Sequence, residues 1–176
     1  MARRRRKMLG RPEDEGVVVL MRLIETQSRT TLARWAAGCA RERYLPVYRR
    51  ACPEDTALPG LLEAAESHLE GRLSRKELQA ALRAAREIPK GLERDPAAQA
   101  AARAVITACG VAQTPTNALG FTFYGAAAAA YDRLGPEASE EACDAVAAEE
   151  FAALAAWLRA VWVPDETNPA GIDWNC

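Results

Sequence analysis

Thirty-eight of the 176 residues are alanine, and five of them stand in a row at Ala126–Ala130. Alanine is the strongest helix former, whereas sandwiches and barrels draw on β-branched and aromatic residues. Aromatics make up only 6% of this chain. Five successive methyl side chains have no polar and apolar face to tell apart. A helix through them is stable only where neighbouring helix backbones approach closely. The flanking Phe121, Phe123, Tyr124 and Tyr131 favour such a packed helix over a low-complexity tract. The fold class that follows is all-α: a single-domain bundle of six or seven helices built from helical hairpins. A chain of this length buries enough surface to need no disulfide or metal staple. The β-branched and aliphatic run Val17–Met21 falls far short of the roughly 20 residues of a membrane span.

Periodicity and punctuation place the helices. A short helix is predicted over about Gly16–Thr26. Ser28 then stands as an N-cap before Leu32, Trp35, Ala36, Cys39 and Arg43, which recur at steps of three and four. Pro46 is expected to kink or end that helix, because it cannot donate to the preceding turn. A helix after Pro59 carries Leu58, Leu61, Leu62, Ala65 and Leu69 on one face and stops at Gly71. Ser74 and Glu77 form a capping box for the next helix, whose stripe is Leu78, Ala81, Leu82, Ala85 and Ile88. Asp95–Pro96 opens a helix to Cys109 with Ala101, Val105 and Ala108 inside. Thr114–Pro115 opens another to Leu134. The last spans about Glu137–Val161, with Ala147, Phe151, Leu154, Leu158 and Val161 as its core stripe. Residues 1–15 lack periodicity and read as a mobile basic head, residues 16–163 as the helical domain, and residues 164–176 as a tail tied down by Ile172 and Trp174.

Charge is unevenly spread. The formal net charge is −1, yet residues 1–50 hold 13 Lys/Arg against 5 Asp/Glu, and residues 111–176 hold 2 against 10. Two readings follow. The acidic half folds back on the basic half, or a one-signed patch steers a macromolecular partner. The candidate partner-binding residues are Glu137, Glu140, Glu141 and Asp144, which cluster where the last helix begins and where its dipole favours anions. A basic run at Arg3–Lys7 without interleaved aromatics gives little support to nucleic-acid binding. Arg5–Leu9 faintly resembles a twin-arginine export signal, but Glu13–Asp14–Glu15 interrupt it before any long apolar stretch.

Catalytic chemistry finds little to work with. His68 is the one histidine and sits at the border of an apolar stripe. No HExxH, GxSxG or phosphate-loop pattern occurs; Gly120 and Gly125 are not followed by Lys-Ser/Thr. The five cysteines (Cys39, Cys52, Cys109, Cys143 and Cys176) include no CxxC pair. They fit neither a disulfide framework nor a zinc site, and point to a reducing cytoplasm. No catalytic residue, cofactor or metal site is therefore expected, and the acidic cluster reads as a solvated helix start or a docking patch.

Three stretches carry a family resemblance. They are Arg34–Ala40 with Leu45–Pro46, Glu63–Ala65 through Gly71–Ser74, and Ala118–Leu119–Gly120 with Tyr124. In order and spacing they resemble the immunity proteins of bacterial polymorphic-toxin systems, an Ala-rich all-helical family related to the type 5 immunity proteins. The resemblance spans about residues 30–131. The chain departs from it where Asn117 stands in place of the family's histidine. It implies a non-enzymatic protein that neutralises a toxin or effector by occluding it, in the cytoplasm of a bacterium. Polarised charge and small size fit a mobile-element-encoded inhibitor of a host defence protein as well. A helical enzyme using the carboxylates with a metal is the third possibility.

Overall fold

The computed structural model describes residues 5–175. Eight α-helices are present among them, and no strand. They are α1 (Glu15–Glu25), α2 (Arg29–Cys39), α3 (Leu45–Ala51), α4 (Ala57–Leu69), α5 (Arg75–Ala85), α6 (Pro96–Cys109), α7 (Asn117–Leu134) and α8 (Glu140–Val161). A π-helical stretch, Ala40–Tyr44, fuses α2 and α3 into one rod, so the chain is all-helical with seven rods.

Pro46 marks a change of helix: α2 ends at Cys39, and the proline stands in the first turn of α3. In the turn before proline the bonding widens, and the Leu45 N–H reaches the Ala40 carbonyl five residues back. A wider turn gives the proline ring room that a regular α-helical turn would deny it.

The caps read from the sequence are present. Ser28 accepts from the Thr31 N–H at 3.2 Å, and Asp95 accepts from the Ala98 N–H at 3.0 Å. Ser74 and Glu77 satisfy each other's backbone N–H at 2.8 and 3.2 Å. Gly71 follows α4 with φ +75°, a conformation that costs a residue with a Cβ. Helix α8 starts later than expected because Ser139 caps it, accepting from Ala142 N–H at 3.1 Å.

Helix α7 is the axis of the bundle. Ala126, Ala127, Ala128 and Ala130 are all fully buried. Its neighbours are chiefly α6 and α8, which flank it along its length. Phe121 meets the edge of Trp35 at a centroid distance of 5.0 Å, and the Trp35 indole N–H donates to the Leu154 carbonyl of α8 at 3.2 Å. Tyr44 crosses α7 where Gly125 leaves space: a Cβ there would lie 2.2 Å from the phenolic oxygen. Val161, expected in the core stripe of α8, is 42% exposed, because the helix has run past the body by its last turn. Helix α5 sits at the edge of the bundle, with only Leu78 and Ala85 buried.

Among the described residues, one carboxylate lies inside. Glu150 is 5% exposed; it takes two bonds from the Arg43 guanidinium, both 2.7 Å, and one from the Tyr44 hydroxyl at 2.8 Å. Burial, followed by the Glu150 charge, pushes the Tyr44 phenol well above its ordinary range, so it remains a donor.

The tail lies across the α1–α2 turn. The side chain of Gln27, fully buried, exchanges bonds with both backbone groups of Val163. Glu166 accepts from the Ser28 N–H at 2.7 Å and from the Thr31 hydroxyl at 3.2 Å. The Trp174 indole donates to Glu25 at 2.6 Å.

Gly125→Ala is expected to destabilise the protein by about 2–3 kcal/mol through overpacking against Tyr44. Gly60→Ala, with open space around the new methyl, is expected to be neutral or stabilising; urea unfolding compares the two. Arg43→Met should cost more, about 3–5 kcal/mol, since it strands a buried carboxylate. Glu150→Gln should cost less, because the half-exposed Arg43 can return to water. The Ser28 N–H bond holds the Glu166 carboxyl below its usual range. A lowered folded-state pKa means that its contribution is complete above the ordinary carboxylate range near pH 4.3 and disappears as pH falls through the depressed value. The tail contact at Ser28 should therefore weaken only below about pH 4, read by Trp fluorescence, and Glu166→Gln, which cannot titrate, should remove that pH-dependent step.

Candidate partner-binding surface

The four acidic candidates lie together at the start of α8. Glu140 and Glu141 occupy its first turn, Asp144 the next, and Glu137 the connection before Ser139. All four are exposed. The helix dipole stabilises acids there, so the clustering has a local electrostatic reason before any partner is considered.

The chain brings its own arginines to this patch. Arg5 bonds Glu137 at 2.6 Å and Arg6 bonds Asp144 at 2.8 Å. Arg6 also reaches the Glu140 carbonyl at 3.4 Å. From Arg5 to Asp14 the head thus lies against α7 and α8, where composition had suggested a segment free of the body. Residues 1–4, which include Arg3 and Arg4, lie outside the described residues. Three features seat the head. Leu9 is fully buried, and its N–H donates to the Phe123 carbonyl at 3.2 Å. Tyr131 donates from its hydroxyl to the Arg6 carbonyl at 2.7 Å. Gly10, at φ +99°, lies so close to Phe151 that a Cβ would meet its ring at 2.5 Å. The sequence signal for this seating is Leu9, an apolar residue at the end of a basic run.

The two head pairs are solvent-exposed, with 86% of the Glu137 side chain and 51% of that of Asp144 open to water. Exposed pairs of this kind contribute about 0–1 kcal/mol each. Leu9 and Gly10, more than the arginines, hold the segment. Glu141 has no ion-pair partner among the described residues. Beside the patch runs a groove of about 660 Å³, floored by Gly16, Val19, Phe151 and Ala152 and bordered by Arg11 and Arg159.

The other candidates for chemistry are spent on structure. The His68 ring stands 2.9 Å from the Leu73 carbonyl and so closes the α4–α5 turn, with Nδ1 as the donor. Cys39, Cys109 and Cys143 are buried and Cys52 half-buried, all as free thiols. Burial pushes the Cys39 and Cys109 thiols far up, which keeps them protonated and unreactive. Cys176 lies outside the described residues. No group of three or more His, Cys, Asp or Glu among the described residues is placed to hold a metal ion. No helix of the described chain is long and apolar enough to cross a membrane.

No curated protein and no solved structure matches the chain. A family match covers residues 22–156, from within α1 to within α8, and so takes in the whole central bundle, the π-helical stretch and the buried Glu150. The chain belongs to the family described as Imm-5 like putative immunity protein.

Proposed function

We propose that this chain is a non-enzymatic immunity protein that binds a toxin in the cytoplasm of the bacterium carrying it and blocks it by occlusion. The family match over residues 22–156 carries the reading. The charge distribution adds to it. Glu137, Glu140, Glu141 and Asp144 offer a basic partner an acidic face, as suits a toxin that acts on nucleic acid and is itself basic. A partner approaching this face exchanges its own cations for Arg5 and Arg6. The exchange costs little, since exposed pairs are weak. Rim charges of this kind accelerate encounter more than they tighten the final complex.

Co-expression tests the reading. Each gene adjacent to this one is expressed with and without it in a bacterial host. One neighbouring product should be toxic alone and harmless in the presence of this chain. If no neighbour is toxic, or none is neutralised, the immunity reading fails. With the toxin in hand, Glu141→Lys combined with Asp144→Lys should slow association about tenfold at low salt and change dissociation little. Stopped-flow binding at two ionic strengths measures this. An unchanged association rate removes the acidic face from the interface and leaves the immunity role standing.

A further inference from the structure

A second cleft lies on the opposite side of the charge balance. It has a volume of about 540 Å³ and opens between α5, α6 and the α6–α7 connection. Arg83 and Arg86, three residues apart at the end of α5, form one wall. Gln79, Thr107, Gln113 and Asn117 contribute amides and hydroxyls. No carboxylate lines it.

What marks the cleft is two arginines and several side-chain amides and hydroxyls on one concave surface with no acid among them. Some other arginines are neutralised by acids: Arg41 pairs with Glu66, Arg43 with Glu150, Arg50 with Asp132 and Arg133 with Glu149. Arg83 and Arg86 have no side-chain partner among the described residues, and neither have the amides of Gln79 and Asn117. The C-terminal end of α5 favours cations for its own sake. That does not account for the amide and hydroxyl wall facing them from α6 and α7. Space for that wall is made at Gly110, where a Cβ would lie 2.8 Å from the Asn117 amide nitrogen.

We propose that this cleft binds a phosphate-bearing small molecule, with Arg83 and Arg86 gripping the phosphoryl oxygens and Asn117 and Gln79 bonding its polar remainder. A carboxylate is satisfied by a single guanidinium fork, whereas a phosphoryl group has oxygens enough for two. The lining is polar rather than apolar, which suits a hydroxyl-bearing ester such as a sugar phosphate better than a flat aromatic ring. The inference does not rest on the immunity reading.

Amide-resolved NMR titration of the full chain at low ionic strength tests it, with inorganic phosphate and ribose 5-phosphate as separate probes. Saturable shifts are expected at Arg83, Arg86 and Asn117. Arg83→Ala with Arg86→Ala should weaken binding at least about tenfold, as loss of two charge-assisted contacts requires. Both side chains are exposed, so the variant should melt like the parent. Gly110→Ala should weaken binding severalfold by displacing the Asn117 amide. Tighter binding of the sugar phosphate supports an ester as the occupant, and equal binding supports free phosphate in the same site. The proposal is overturned if neither probe saturates. It is equally overturned if Arg11→Ala with Arg159→Ala, remote from the cleft wall, weakens binding as much as the Arg83 and Arg86 changes.

Discussion

A carboxylate placed inside the protein dictates how three of its helices meet. Glu150 on α8 needs donors, and only the π-helical stretch supplies them, through the Arg43 guanidinium and the Tyr44 hydroxyl. Tyr44 can reach it only by passing Gly125 on α7, where any side chain would collide with the ring. The α2–α3 rod, α7 and α8 are thereby fixed at a single crossing. Alanine packing brings the helices close but is weakly directional, since one methyl surface resembles another. The buried ion pair adds the direction. Such pairs are seldom a large net source of stability, because both charges lose water. Here the Arg43 side chain keeps 36% of its surface open, so only one of the two charges bears the full desolvation.

Much of this was legible in the residues themselves. The all-helical class followed from alanine, and the caps at Ser28, Ser74 and Asp95 followed from side chains that compete for backbone N–H groups. What escaped was long-range. Nothing local in the sequence distinguishes Glu150 from the exposed Glu149 beside it. Its partner did leave a trace: Arg43 falls on the apolar stripe with Leu32, Trp35 and Cys39, and a cation in such a stripe needs an anion inside. Pro46 marked the break between α2 and α3 but not its form. Its effect on a helix depends on whether the preceding turn can widen, which the π-helical stretch allows.

The candidate surface was legible as a cluster and not as a site. Residues 137–144 announce their charge in the sequence, but the seating of Arg5 and Arg6 on them depends on Leu9 and Gly10 meeting Phe123 and Phe151. Opposite charges at the two ends of the chain therefore meet where apolar seating has already brought them together. The folding-back reading and the docking reading concern the same carboxylates. Weak, exposed pairs allow both, because water and a basic partner compete for them on similar terms.

The wide turn at Ala40–Tyr44 also bears on how the family can vary. Each residue added to a helix swings everything after it by about 100° around the axis. Arg43 keeps the regular spacing from Leu32, Trp35 and Cys39, so the residues displaced by this bulge are those of α3 after it. A family member without the extra residue would leave Arg43 on the inner stripe and rotate α3 instead, carrying the buried Leu45 and Tyr48 off the surface where α3 meets α6.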